Sequence, residues 1–281
     1  MTVTTKTCSI AAALLLSPLC LQAMPELKGN EQLWLLTAEQ QLVKVAAKAP
    51  QQVIEQRALQ GLSAAEQLIG IDYRVAYGVL FGLSNQGQLY QINTADGSLT
   101  KVGTALPAGT LTDAAYGFDF NPAADRIRVV NVQGQNLRLH PETGALAFTD
   151  PKLHYAADDV NANKQPAIVA AAYTYNQQNE KLTTNYAIDL AQGTLVTQGS
   201  IEGQEPVVSP NTGTLFTVGS LGLAALSDVA FDISDLRNIG LLAVSKQGAA
   251  VSSLYQVDLA SGKTLLLGEL PTTITGIAIE P

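Results

Sequence analysis

Apolar and other residues alternate in short runs along almost the whole chain, and runs of one form recur. Five begin with a small residue and continue apolar–X–apolar: Gly70-Ile71-Asp72-Tyr73, Gly117-Phe118-Asp119-Phe120, Ala172-Tyr173-Thr174-Tyr175, Ala230-Phe231-Asp232-Ile233 and Gly276-Ile277-Ala278-Ile279. A period of two is the mark of a β-strand. Their starts lie 47, 55, 58 and 46 residues apart. A further run follows each of the first four and ends in a glycine turn, at Asp96-Gly97, Thr143-Gly144, Gln192-Gly193 and Ser261-Gly262. Glycine there supplies the positive φ of a tight hairpin.

The chain also aligns with itself, ungapped, in steps of 47: Leu33 to Val45 lies over Leu80 to Ile92, and that over Ile127 to Leu139. Each unit reads as four antiparallel strands in about 40–50 residues, which is one propeller blade. The last inner strand, Gly276 to Ile279, has no chain after it to complete a blade, and the first unit, Leu33 to about Leu59, has three strands and no inner one. Joined, they make one blade and close the ring without a free edge. The prediction is an all-β, five-bladed propeller over residues 24–281. Six blades is the alternative, because residues 201–229 are longer than one blade needs. Register makes Ala46 to Ala65 an outer strand and loop despite a helix-like composition, and puts Trp34 in the core of the closing blade.

Only 14% of residues are charged, against roughly a quarter in a typical soluble domain. That suits strands covered on both faces and argues against intrinsic disorder. Lys6 is the sole charge in the first 23 residues, Ile10 to Leu16 is apolar, and Leu21-Gln22-Ala23 precedes a cut before Met24. Residues 1–23 read as a cleaved secretory signal, too short for a bilayer span of about 20 residues, and imply a periplasmic or secreted protein. The rival, a lipoprotein cut before Cys20, wants a small residue where Leu19 stands. Cys8 and Cys20 both fall in this segment, so the mature chain has no disulfide, thiolate metal site or cysteine nucleophile. Without Lys6, 15 basic residues face 24 acidic ones, a net charge of −9. Nucleic acid and anionic membrane surfaces are poor partners for such a chain.

The phrases Gly117-Phe118-Asp119-Phe120-Asn121-Pro122-Ala123-Ala124-Asp125-Arg126-Ile127-Arg128-Val129-Val130-Asn131 and Gly134-Gln135-Asn136-Leu137-Arg138-Leu139-His140-Pro141 resemble the hallmark of a secreted bacterial family, domain of unknown function 4394. Asp159-Val160-Asn161-Ala162 and Thr183-Thr184-Asn185-Tyr186-Ala187-Ile188-Asp189 are similar to its middle section. The resemblance runs from about residue 30 onward. It implies fold and export and assigns no chemistry. Tyr175 departs from it, standing where the family has a polar residue, often asparagine.

Three constellations are candidates for binding. A three-residue loop at Gln133-Gly134-Gln135 would set Val130 opposite Arg138 and Arg128 opposite His140, and a turn at Asn121 to Ala124 would set Asp119 opposite Arg126. Alternation then puts Asp119, Arg126, Arg128, Arg138 and His140 on one face of a blade, near Asn131. Spare guanidinium donors suit a carboxylate or phosphate; a polar seam between blades is the plainer account, with Asp119–Arg126 as a cross-strand pair.

The middle positions of the inner strands, Asp72, Asp119, Thr174, Asp232 and Ala278, lie at one height near the axis, so three carboxylates are candidate ligands for Ca²⁺. Aspartates bonded to backbone amides of a neighbouring strand are the alternative. Asp159 and Asn161, in Asp158-Asp159-Val160-Asn161-Ala162-Asn163, echo a calcium loop, but Lys164 and Ala170 occupy its glycine and glutamate positions.

Nucleophile-elbow, zincin, phosphate-loop and dinucleotide signatures are absent from the sequence. His140 and His154 are its only histidines, too few for a three-histidine zinc site. The first functional reading is therefore a non-enzymatic module that binds a small ligand or an envelope protein through one end of the ring. A Ca²⁺-dependent lactonase-type hydrolase using the axial aspartates, and anion recognition through Arg126, Arg128 and Arg138, are the alternatives.

Overall fold

The alternating runs form 21 short strands among the residues described by this computed structural model, 24–29, 31–112 and 115–281. The secretory segment read at residues 1–23 lies outside them. Strands β1 (Gln32–Thr37), β2 (Gln41–Ala46) and β3 (Ala49–Ala58) begin the first blade. The second holds β4 (Leu68–Arg74), β5 (Val79–Ser84), β6 (Leu89–Ile92) and β7 (Leu99–Val102). The third holds β8 (Tyr116–Asn121), β9 (Arg126–Asn131), β10 (Asn136–Leu139) and β11 (Leu146–Thr149).

In the fourth, a short strand β12 (His154–Tyr155) precedes β13 (Ile168–Tyr173), β14 (Asn185–Asp189), β15 (Thr194–Gln198) and β16 (Thr214–Ser220). The fifth holds β17 (Leu226–Ile233), β18 (Gly240–Lys246), β19 (Ser253–Val257) and β20 (Thr264–Glu269). The final strand, β21 (Ile274–Ile279), returns to pair antiparallel with β1, Leu33 opposite Ile279 and Leu35 opposite Ile277. The ring is thus a five-bladed propeller closed by its last strand, as the ends of the sequence predict.

Residues 201–229 hold no sixth blade. They contain a loop, the outer strand β16 and the start of β17, and β16 carries β12 as an extra parallel strand on its edge. Ala46 to Ala65 is outer strand and loop, and Trp34 is 1% exposed.

The hydrophobic core is divided among the interfaces between blades. One cluster joins Leu35 and Ile277 of the first blade to Leu241 and Leu254 of the fifth, another joins Trp34 and Leu36 to Leu80 and Tyr90 of the second, and the remaining three interfaces are filled likewise. Inner strands approach closely enough that Gly117 admits no side chain; a Cβ there would sit 2.6 Å from the Ala171 amide nitrogen.

Three predicted registers need correction, each by two residues. Asp119 pairs with Arg128 and Asn121 with Arg126, because Asn121 Oδ1 accepts from the amides of Ala123 and Ala124 and moves the turn to residues 122–125. Arg128 pairs with Arg138 and Val130 with Asn136, because Asn131 Oδ1 holds the amides of Gln133 and Gln135 and begins the loop earlier. In the fourth blade Ala172, not Thr174, is level with Asp119. Asp72, Asp119 and Asp232 accept from the amides of Phe120, Tyr173 and Ile279, which fixes those three as equivalent positions. A slip of two preserves alternation, so faces were legible and heights were not.

Candidate functional site

Each inner strand presents one backbone N–H toward the axis just after its middle position. Three aspartates satisfy all five. Asp72 accepts from Tyr73 at 2.7 Å and Phe120 at 2.7 Å, Asp119 from Tyr173 at 2.8 Å, and Asp232 from Ile233 at 2.6 Å and Ile279 at 2.6 Å. The blades that offer Ala172 and Ala278 have no carboxylate to give the next strand. Tyr73 and Ile233, which follow them around the ring, are instead served by their own neighbours Asp72 and Asp232. One oxygen is left over, Oδ1 of Asp119, and the Asp119 side chain is hydrogen-bonded to Asp72.

The three carboxyls are 4–7% exposed, and one oxygen from each lies within 4.8 Å of the others. Burial raises Asp72 to about 8 against the lowering pull of the Phe120 amide. Burial and then the Asp72 charge lift Asp119, and burial and then Asp72 lift Asp232. Desolvation is the largest cause for all three.

The aspartates floor a cavity of about 490 Å³ at one mouth of the channel. Its walls carry Tyr73, Tyr77, Phe120, Tyr173, Tyr175 and Leu236, contributed by the second to fifth blades. Arg74 stands at the rim with three of its five N–H donors engaged: Asp125 takes Nε at 2.9 Å and Nη2 at 2.6 Å, Glu142 takes Nη1 at 2.5 Å, and the guanidinium lies 4.1 Å from the Tyr77 ring centroid. Asp235 also lines the cavity. It is half-buried, burial pushes it up to about 6, and its own backbone amide is the sole donor to its carboxylate among the described residues. Asn238, at φ 51°, accepts from the Tyr175 amide at 2.9 Å and donates to its carbonyl at 3.1 Å. That bridge ties the Asp235 turn to the Tyr175 wall.

The arginines predicted as one cluster, Arg126, Arg128 and Arg138, all line a second cavity of about 390 Å³ together with Lys181, and Arg128 and Arg138 share Asp150 Oδ2. Arg128 is 1% exposed and spent, donating to Tyr173 Oη, Asn136 Oδ1, Asp150 Oδ2 and Asn211 Oδ1. Arg138 grips both oxygens of Asp150, at 2.8 and 2.9 Å, and stacks on Phe148. Arg126, on the lining of that cavity, donates to the Asp125 carbonyl. Asn131 staples its loop, and His140 Nδ1 accepts from the Glu142 amide. Asp159 accepts from the Thr217 amide and hydroxyl and from Asn161, so Asp159 and Asn161 anchor their loop to β16. The Arg128→Met variant is expected to lose about 3–5 kcal/mol by urea denaturation, the cost of breaking a buried ionic network. A recognition role would instead lower ligand affinity at unchanged stability.

Asp235, Arg74 and the tyrosine walls were missed in the sequence. Arg74 and Asp235 follow the axial Asp72 and Asp232 by two and three residues, at the end of β4 and in the turn after β17, and nothing in a period of two says which end of a strand opens on a cavity.

A family model described as Domain of unknown function (DUF4394) matches residues 41–278. The chain belongs to this family. The DUF4394 match runs from β2 into β21 and contains all three axial aspartates, the cavity walls and Asp235. No curated protein matches the chain. Among solved structures, one of a structural genomics protein of unknown function from Bacteroides thetaiotaomicron VPI-5482 is 11% identical with a TM-score of 0.47, over 85% of this chain and 55% of that one. Hydrazine synthase of Kuenenia stuttgartiensis is 12% identical with a TM-score of 0.38, over 70% and 47%. The chain thus spans about half the length of each. Among the described residues no helix is long and apolar enough to cross a membrane.

Proposed function

We propose that the protein is an exported, non-enzymatic binding module that takes a small ligand in the cavity over the axial aspartates. The cavity itself carries this reading: about 490 Å³ falls within the roughly 300–1,000 Å³ of small-molecule sites, with apolar walls and a few convergent polar groups. Four blades build its walls on rigid inner strands, which suits a preformed site. Its lining offers carboxylates, tyrosines and a lysine, without a serine, cysteine or histidine among the described residues to serve a nucleophile–base pair. Export rests on the apolar leader with its Ala23 cut, and an envelope protein seated on the same mouth is a partner of the same kind.

A second reading, a Ca²⁺-dependent lactonase-type hydrolase, is favoured by one observation, the three carboxylates within 4.8 Å. Five of their six oxygens already accept amides, which favours the binding module. Anion recognition draws little support from Arg128, which is buried in a hydrogen-bonded network, and Arg138 is already paired with both oxygens of Asp150.

The mature protein and the Ala123→Trp variant, which places a large ring in the cavity mouth from an exposed turn, should be screened by thermal shift against a charged, neutral and zwitterionic small-molecule library. Hits that Ala123→Trp abolishes support the reading; an absence of hits, or hits that survive the substitution, overturns it. Stoichiometric calcium whose removal by EDTA lowers the Tm would move the balance to the hydrolase.

A further inference from the structure

We infer that the ligand of this cavity is an organic cation, an ammonium or guanidinium group carried on an apolar body. The inference rests on the binding-module reading and names the chemical class that site accepts.

Charge comes first. The carboxylates on the lining are Asp72, Asp119, Asp125, Asp232, Asp235 and Glu180, against Arg74 and Lys181. Asp125 and Arg74 neutralise one another, and Glu180 and Lys181 are exposed neighbours. Asp235 and the three floor aspartates remain without a cationic partner. Five of the six floor oxygens already accept backbone amides, so Asp235 is the carboxylate left open to an entering ligand. Its carboxylate accepts from no other described residue, and on the cavity wall it is free to bind.

The walls agree with the charge. Tyr77 and Tyr175 are the lining aromatics that are not buried between blades, and aromatic faces attract cations within about 6 Å of the ring centroid. The mouth already contains one such pair, Arg74 over Tyr77 at 4.1 Å. A bare metal ion needs little of this volume or of these rings. It takes six to eight oxygens, whereas most axial oxygens are engaged with amides. An anion would face uncompensated carboxylates, which oppose it through like charge.

Isothermal titration calorimetry at about pH 8, in EDTA and low salt, tests this with three isosteric probes: phenethylammonium, 2-phenylethanol and a phenylpropanoate. Asp235→Asn is the matched variant, since its carboxylate makes no bond to another residue that the substitution would break. The expected result is that the ammonium binds, the alcohol binds about tenfold or more weakly, and Asp235→Asn weakens the ammonium alone by about tenfold. Equal or tighter binding of the alcohol or carboxylate overturns the cation and leaves the cavity reading standing. So does failure of the ammonium to bind while library hits sensitive to Ala123→Trp exist. If library hits are also indifferent to Ala123→Trp, both readings fall.

Discussion

Deleting residues 274–281 is expected to abolish cooperative folding, giving a protein that is aggregated or expanded by size-exclusion chromatography and lacks a sigmoidal urea transition. The strand removed is the inner strand of the first blade. Ile274, Ile277, Ala278 and Ile279 are all at most 5% exposed, and burying an isoleucine contributes about 1.5–3 kcal/mol. The three isoleucines alone approach the roughly 5–15 kcal/mol that separates a folded domain from its unfolded chain. Two further losses come with them. The edge of β1 loses its partner from Leu33 to Thr37, and Asp232 loses the Ile279 amide, leaving a buried oxygen bare. The inner strands of the second and fifth blades would also face an open gap in place of β21. A synthetic peptide of residues 272–281 added during refolding should restore part of the transition. A truncated protein with the full-length urea midpoint would show that ring closure contributes nothing to stability.

The closing strand was legible because it depends on counting: an inner-strand run without successors at one end, and three strands without an inner one at the other. Blade number was legible for the same reason, since a repeat of about 47 residues admits few architectures. Heights along the strands were not. Asn121 and Asn131 each move a turn by capping its amides, and a shift of two leaves every hydrophobic residue facing the same way. Thr174 was thereby placed in the ring that Ala172 occupies. The axial aspartates were found because they stand in the repeated motif itself, and their convergence follows from symmetry. Asp235 lies outside the motif, in a segment where the blades differ; Tyr175 stands in the motif, but its place on a cavity wall depends on the height that a period of two leaves open. In the arginine phrase, the most specific stretch of the sequence, Arg128 with its partners Tyr173 and Asn211 spans the interface between the third and fourth blades.

The ring of aspartates makes a prediction of unusual sign. In most proteins carboxylates paired in the native state add stability as pH rises from about 1 to 5, and the maximum lies between about 5 and 8. Here burial raises Asp72 from 3.8 to about 8 and moves Asp119 and Asp232 in the same direction. Between about pH 4 and 8 the native state therefore binds more protons than the unfolded chain, and stability falls across that window. For Asp72 the full span is on the order of 5 kcal/mol at about 1.36 kcal/mol per pH unit. Wild type is accordingly expected to show a lower urea midpoint at pH 8 than at pH 5 in EDTA. The Asp119→Asn variant should show a smaller fall, because Asp72 and Asp232 stay buried while one titrating group is removed and Asp72 gains a donor. Asp119 accepts one amide, from Tyr173, and turns its other oxygen to Asp72. An asparagine there keeps the acceptor and presents an N–H to the Asp72 carboxylate, reproducing the protonated acid at every pH. Asp119→Asn should match wild type at pH 5 and exceed it at pH 8. The opposite pattern, a wild type that gains stability toward pH 8 and a variant that loses it in the presence of Ca²⁺, requires an ionised ring neutralised by a metal. One pair of titrations thus decides whether a proton or a cation occupies the axis of the propeller.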